Sequence, residues 1–310
     1  VARAGQDAGM SAHVYQPRRS PWHESHVIRG LRHHCTRWGS PGSSPVVLLH
    51  GWMDTGETFQ FLVDAMSDRW SFVAPDWRGF GRSEWEPGGY WFPNYLADLD
   101  ALLEIFSPAA PAALVGHSMG GNVASLYAGV RPQRVSRLVN IEGLGLPRTS
   151  PDQAPERYRR WLDELRATPA FSAHASLEEF AEALARRNAR LDPARARFIA
   201  AAWAERGPDG SYHIRADPRH KQVNAVLYRR EEAEACWRNI TAPVLLLLGG
   251  LSEFGGRLGE DSKGERLHGL FSNLALATVA DAGHMMHHER PAQVARLIES
   301  FLSAGHGDVA

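Results

Sequence analysis

The sequence predicts an α/β fold, with a mostly parallel central sheet, helices on both faces and a helical cap inserted before the last strands. Three observations carry this. Short buried apolar runs alternate with stretches of helical period from residue 46 to residue 146; the alternation stops over 147–238; and it resumes at "APVLLLLGG" and runs to a final helix. Parallel strands need crossover connections, and these put helices over both sheet faces.

The elements follow in order. Residues 1–20, "VARAGQDAGMSAHVYQPRRS", are small, polar and aperiodic, and are expected to form a flexible extension with Met10 as a candidate natural start. "HESHVIRG" and "LRHHCTRW" alternate in polarity and meet at Gly30, which predicts a hairpin. "PGSSP" is a turn into the buried strand "VVLLH", and "SFVAPD" is the next strand. "FPNYLADLDALLEIF" places apolar residues three and four apart and reads as a helix; "AALVG", "MGGNVASLYAGV" and "VSRLVNIEG" then read as strand, helix and strand. Residues 147–238 show no convincing buried strand, only helical periods over 155–167, 176–191 and 192–207. "NLALATVADAG" is a further strand, "PAQVARLIESFLSA" the last helix, and a tail follows from residue 305. The expected units are therefore a core of 21–146 and 239–304, a cap of 147–238, the extension 1–20 and the tail 305–310.

Composition removes several functional classes. Lys and Arg number 34 against 35 Asp and Glu in 310 residues, so no net field recruits nucleic acid or an anionic membrane. Cys35 and Cys236 are too far apart for a CxxC ligand pair and give no disulfide framework. No apolar run approaches the length of a membrane span, and the N-terminus lacks a basic-then-apolar leader, so a cytoplasmic location is expected. "GLGLPR" and "GFGRS" fall short of a full G-x-G-x-x-G, so no nucleotide cofactor is expected.

The chemistry is concentrated at "LVGHSMGGNVASLYAG", where a strand becomes a helix almost without a loop around Ser118. Such a turn lifts one hydroxyl clear of both elements and sets it beside the free N–H groups of a helix N-terminus. The serine must adopt strained backbone angles, and neighbouring chain must come close, which accounts for Gly116 and Gly120 two residues to either side. The pattern is G-x-S-x-G, and a nucleophilic Ser118 is the expectation.

With "HGWMD" after the third strand, "DWRGFGRS" after the fourth and "GHMMHHERP" after the last, the chain from about Trp22 to Ala304 resembles the α/β-hydrolase superfamily. "NIEGLGLP" and "REEAEACW" are similar to its serine-hydrolase-like branch. The resemblance implies a triad. His284, after "ADAG" and followed by Glu289 and Pro291, falls where the family carries its base. The family most often places the acid after the strand that follows the cap, where Glu253 stands three residues beyond Gly250; a minority place it after the strand before the cap, where Glu142 stands. Glu253 is the expected acid and Glu142 the alternative, with Asp261 and Glu260 behind them. The resemblance also implies oxyanion donors at the backbone N–H groups of Met119 and Trp52. Asp76, Arg78, Gly79, Gly81 and Ser83 are expected to shape the next loop.

No carboxylate or cysteine is spaced to complete a metal site with His284, His287 and His288, and H-E-x-x-H is absent, so no metal is expected. His287 and His288 are placed at the solvent-facing start of the last helix or on the cleft rim. The cap carries 17 basic and 14 acidic residues, too even a balance to set specificity by charge. Trp161, Phe171, Phe180, Phe198 and Trp203 are spaced as helix faces and read as core, and Arg215 as a surface arginine.

The function implied is a cofactor-independent serine hydrolase that cleaves small carboxylic esters through an acyl-enzyme. The same triad leaves carbon–carbon hydrolysis, lactone opening, perhydrolysis and acyl transfer open, and a non-catalytic small-ligand receptor is a second class. The expected partner is a small acyl substrate, and the chain a monomer or homodimer.

Overall fold

In the computed structural model, residues 14–40, 44–167 and 169–304 are described. Met10, most of the expected extension, the start of the 41–45 turn and the tail from 305 lie outside them.

The elements run β1 (Trp22–Ile28), β2 (Leu31–Trp38), β3 (Val46–Leu49), α1 (Gln60–Ala65), β4 (Phe72–Pro75), α2 (Pro93–Phe106), β5 (Ala112–His117), α3 (Met119–Val130) and β6 (Val135–Ile141). Then come α4 (Ala154–Arg166), α5 (Leu177–Arg187), α6 (Pro193–Trp203), β7 (Ala204–Arg206), β8 (Tyr212–Ile214) and α7 (Arg230–Arg238). The chain closes with β9 (Val244–Gly249), α8 (Phe254–Leu258), α9 (Gly264–His268), β10 (Leu274–Val279), α10 (Met286–Glu289) and α11 (Pro291–Ser303).

Eight strands form one sheet in the order β1-β2-β4-β3-β5-β6-β9-β10, parallel from β4 to β10, with β2 antiparallel to both β1 and β4. The central strands are buried on both sides because their residues alternate between two cores. Val47, Leu49, Leu114, Leu138 and Leu246 face a core shared with Leu99, Val123 and Trp237 of α2, α3 and α7. Val46, Leu48, Val115, Val139 and Leu247 face the other, shared with Leu62 of α1 and Val294 and Ile298 of α11. Helices thus cover both faces.

Between β6 and β9 the chain leaves the sheet. Phe180, Leu184, Ile199 and Ala200 of α5 and α6 make a third core with Phe61 of α1, and Phe198 and Trp203 pack on its edge. The apolar reading of Phe180 holds, and Phe171 packs on the larger core under the Lys221 ammonium, 4.3 Å from its ring centre. Helix α6 stops at Trp203, short of the expected 207, because residues 204–214 turn into the β7–β8 hairpin. Arg215 is half-buried there and donates to Ala204 O (2.8 Å), which ties the hairpin base instead of facing solvent. Helix α1, absent from the sequence reading, has only six residues, too few for an apolar period to register.

Residues 14–20 correct the expectation of an unattached extension as far as residue 20. The Tyr15 hydroxyl donates to Asp64 (2.8 Å) and its ring meets Phe61 edge-on at 4.7 Å. Arg18 donates to the Asp64 and Met66 carbonyls and Arg19 to that of Trp70. The two Arg18 contacts satisfy the C-terminal end of α1, which leaves carbonyls without helical partners.

Candidate functional site

The carboxyl ends of β3, β5, β6 and β10 converge, as is usual for sites on parallel sheets. Ser118 stands between β5 and α3 with φ 51° and ψ −113°, a backbone strained for any residue with a Cβ. Two contacts hold it there: Ser118 N–H donates to Ile141 O (2.8 Å), and Asn122 N–H donates to Ser118 O (2.9 Å). The flanking glycines are required by contact. A Cβ on Gly120 would lie 2.1 Å from Leu49 O, and one on Gly116 would lie 2.5 Å from the Gly120 carbonyl.

Ser118 Oγ lies 3.0 Å from His284 Nε2, and His284 Nδ1–H donates to Glu142 Oε2 at 2.6 Å. A carboxylate only accepts, so Nδ1 carries the hydrogen and Nε2 presents a lone pair to the serine hydroxyl. Phe254 stacks on the imidazole with ring centres 4.9 Å apart. Glu142 is 2% exposed and saturated with donors: Gly249 N–H to Oε1 (2.7 Å) and Ser252 Oγ–H to Oε2 (2.7 Å), besides His284.

The structure therefore sets Glu142, and not the expected Glu253, against His284. Glu253 is exposed at the start of α8, and its carboxylate makes no hydrogen bond or ion pair among the described residues. The reason is register. In β6, Ile141 pairs with both His117 and Leu247, so the next residue, Glu142, emerges beside Ser118 and under the His284 loop. Counting three residues from Gly249, not from Gly250, lands on Ser252, the residue that reaches the site from β9. Glu142 itself has φ 53°, and Asn140 holds this turn by accepting from Gly143 N–H (2.6 Å) and donating to Gly143 O (2.8 Å). Asp261 sits in an ion-pair cluster with Arg148 and Arg230, and Glu260 pairs with Lys263 on the surface.

Met119 is the first residue of α3, so its N–H has no intrahelical acceptor. Trp52 follows Gly51, whose backbone presses on the elbow: a Cβ there would lie 3.3 Å from Ser118 Cβ and 2.7 Å from His117 Nδ1. Its indole is half-exposed. His50 fixes this loop, Nδ1–H donating to Gly51 O (2.7 Å) and Nε2 accepting from Trp77 N–H (2.9 Å). The loop after β3 and the start of α3 therefore both lie against the serine. In the "DWRGFGRS" loop, Asp76 accepts from Gly56 N–H, Arg82 N–H and His34, and Ser83 Oγ–H donates to Asp76 O.

Glu289, read only as part of a motif, joins the His284 loop to the insertion. It accepts from Gly283 N–H (2.7 Å), Arg190 Nε–H (2.8 Å) and Asn188 Nδ2–H (2.8 Å). Burial pushes this carboxyl up, but those three donors outweigh it and hold it below its ordinary value. A carboxylate with a depressed folded pKa contributes stability that is present above its unfolded value of about 4.3 and is lost as pH falls through the folded value. Glu289→Gln is thus expected to lower the melting temperature at pH 7, with the gap to wild type closing below about pH 4. A gap that widened in acid would contradict this.

His287 and His288 correct a second expectation, since both are buried in α10 and not solvent-facing. They pack toward Asp54, His287 over Phe59 and His288 edge-on to Phe61. Burial pushes His288 down to about 3 and holds His117 well below its ordinary value.

A family model described as the alpha/beta hydrolase fold matches residues 44–291. The chain is 29% identical over 273 residues to the serine hydrolase-like protein of Danio rerio, covering 86% of this chain and 83% of that one. It is 27% identical over 283 residues to the 3-hydroxybutyrate-oligomer hydrolase of Cupriavidus necator, covering 86% and 92%. Among solved structures, the thioesterase domain from the curacin biosynthetic pathway has a TM-score of 0.81 at 24% identity, covering 91% of this chain and 99% of that domain, a likeness of fold.

Proposed function

The chain belongs to the α/β-hydrolase family, and from that premise we propose that it is a cofactor-independent serine hydrolase acting on small carboxylic esters. The observation that carries this reading is the continuous path from Ser118 Oγ through His284 to the buried Glu142 carboxylate. Ser118 attacks the ester carbonyl as His284 Nε2 takes its proton, and the oxyanion forms against the N–H groups of Trp52 and Met119. Collapse expels the alcohol, which receives the proton from His284. Water then attacks the acyl-enzyme by the same route in reverse. Glu142 keeps the imidazole in the required tautomer and stabilises the imidazolium.

Cleavage of an ester is in keeping with the name of the Cupriavidus necator relative, a hydrolase of 3-hydroxybutyrate oligomers, whose units are joined through ester bonds. The helical segment 147–238 is the proposed cap, with specificity residing in its lining. Among the described residues no helix is long and apolar enough to cross a membrane.

The test is covalent. A fluorophosphonate is expected to label one residue, Ser118, with p-nitrophenyl ester hydrolysis lost in step, and Ser118→Ala is expected to abolish both. An adduct mapped elsewhere by mass spectrometry, or none, would overturn the mechanism.

A further inference from the structure

We propose that Asp54, His117 and His287 form a binding site for a borderline divalent cation of the Zn2+ type, directly behind the nucleophile elbow. A carboxylate oxygen and imidazole nitrogens face one another inside the protein, none within hydrogen-bond distance of a partner. Asp54 Oδ1 is saturated, accepting from Thr55 N–H (2.8 Å), Thr58 Oγ–H (2.6 Å) and Trp203 Nε1–H (2.9 Å). Asp54 Oδ2 accepts from nothing, and lies 3.6 Å from His287 Nε2 and 3.7 Å from His288 Nε2.

The protonation of His117 follows from its neighbour. Its Nε2 is 2.9 Å from His284 O, and a carbonyl only accepts, so Nε2 carries the hydrogen. A buried neutral ring then presents Nδ1 as a bare lone pair, and that atom has no partner. His287 has no partner on either ring nitrogen. One ligand atom from each of Asp54, His117 and His287 lies within 4.8 Å of the others, and the three residues are 2%, 2% and 0% exposed.

Buried polar atoms are usually satisfied, and an ion or a water is one explanation of an exception. Here the convergence of a carboxylate oxygen with two imidazole nitrogens favours the ion. Two imidazoles and one carboxylate suit Zn2+, Co2+ or Ni2+, whereas Mg2+ and Ca2+ require oxygen ligands. Bonds of about 2.0–2.1 Å place tetrahedral ligand atoms roughly 3.3 Å apart. The Asp54–His287 separation of 3.6 Å is near that spacing, and the His117 ligand atom lies within 4.8 Å of both. The outer supports are also in place: His117 donates its other N–H to a backbone carbonyl, and Asp54 is oriented by three donors. Trp203 of the insertion covers the carboxylate, so entry requires its displacement.

The full chain, stripped with a chelator and desalted, is titrated with Zn2+, and retained metal is counted by mass spectrometry. One zinc per chain is expected, bound at least tenfold more weakly in Asp54→Asn and in His287→Gln, and unchanged in His268→Gln at an exposed position. Melting curves identify any variant that fails to fold. A separate readout needs no variant: Co2+ bound to the wild-type chain is expected to show the intense visible bands of a four- or five-coordinate site. Retention of no zinc, equal retention in both folded variants, or only the weak bands of six-coordinate Co2+ would each overturn the proposal.

Discussion

Replacing Glu142 with glutamine is expected to lower kcat about 10⁴-fold, while Glu253→Gln stays within about twofold of wild type. The reason lies in the count of donors. Three hydrogens point at the two Glu142 oxygens, from His284, Ser252 and Gly249. An amide supplies one acceptor oxygen and two hydrogens of its own, so one side must set donor against donor. If the amide oxygen takes Gly249 N–H, its NH2 faces His284 Nδ1 and forces the hydrogen onto Nε2, where it opposes the Ser118 hydroxyl. The base is then in the wrong tautomer, and no carboxylate remains to stabilise the imidazolium. Glu253 has no such partners to lose. Turnover of a p-nitrophenyl ester, measured with melting temperature, decides the matter. A loss below about a hundredfold for Glu142→Gln, or comparable losses for both, would remove the acid from the mechanism.

Two glutamates, Glu142 and Glu253, follow strands in positions that the chain order alone does not distinguish. Ser118 and His284 are legible because each sits in a contiguous motif whose glycines and flanking elements can be recognised along the chain. Which glutamate meets His284 depends on which strands are neighbours. Both glutamates follow a strand, and only the pairing of Ile141 with His117 and Leu247 brings Glu142 beside the serine. The strands themselves were readable because their apolar runs are buried on both faces. Ser252 escaped notice because a serine in a turn carries no signal of its own, and the burial of His287 and His288 because a helix of four residues has no period to show which side faces in. Asp54, His117 and His287 come from three separate segments, so no spacing rule joins them.

Asp98→Ala is expected to destabilise the protein by about 3–5 kcal/mol, the range for removing one partner of a buried ion pair. Asp98 and Arg78 are 0% and 2% exposed, joined by two bonds, Nε–H to Oδ2 (2.6 Å) and Nη2–H to Oδ1 (2.5 Å). Arg29 from the β1–β2 turn adds a third contact at 3.2 Å, and His33 lies 3.4 Å away. Alanine leaves the Arg78 guanidinium buried without its main counter-charge; Glu86, its remaining carboxylate partner, is more exposed and binds a different nitrogen. Burial pushes the Asp98 carboxyl up, but His33 and Arg78 outweigh it and hold it below its ordinary value. Its contribution is therefore present above about pH 4 and lost as pH falls through the folded value, so denaturation midpoints of wild type and variant converge in acid. Replacing the pair together, as Arg78→Met with Asp98→Leu, should recover most of the loss, since the charges left over, on Arg29 and Glu86, reach solvent. The loop that Arg78 anchors also meets the insertion: Gly81 N–H donates to Arg215 O, and Asp217 N–H to Gly79 O, each at 2.9 Å. Loosening this loop should therefore raise KM for an ester that contacts the insertion before it lowers kcat. Single and double variants of equal stability would show instead that the pair adds nothing beyond the packing of its side chains.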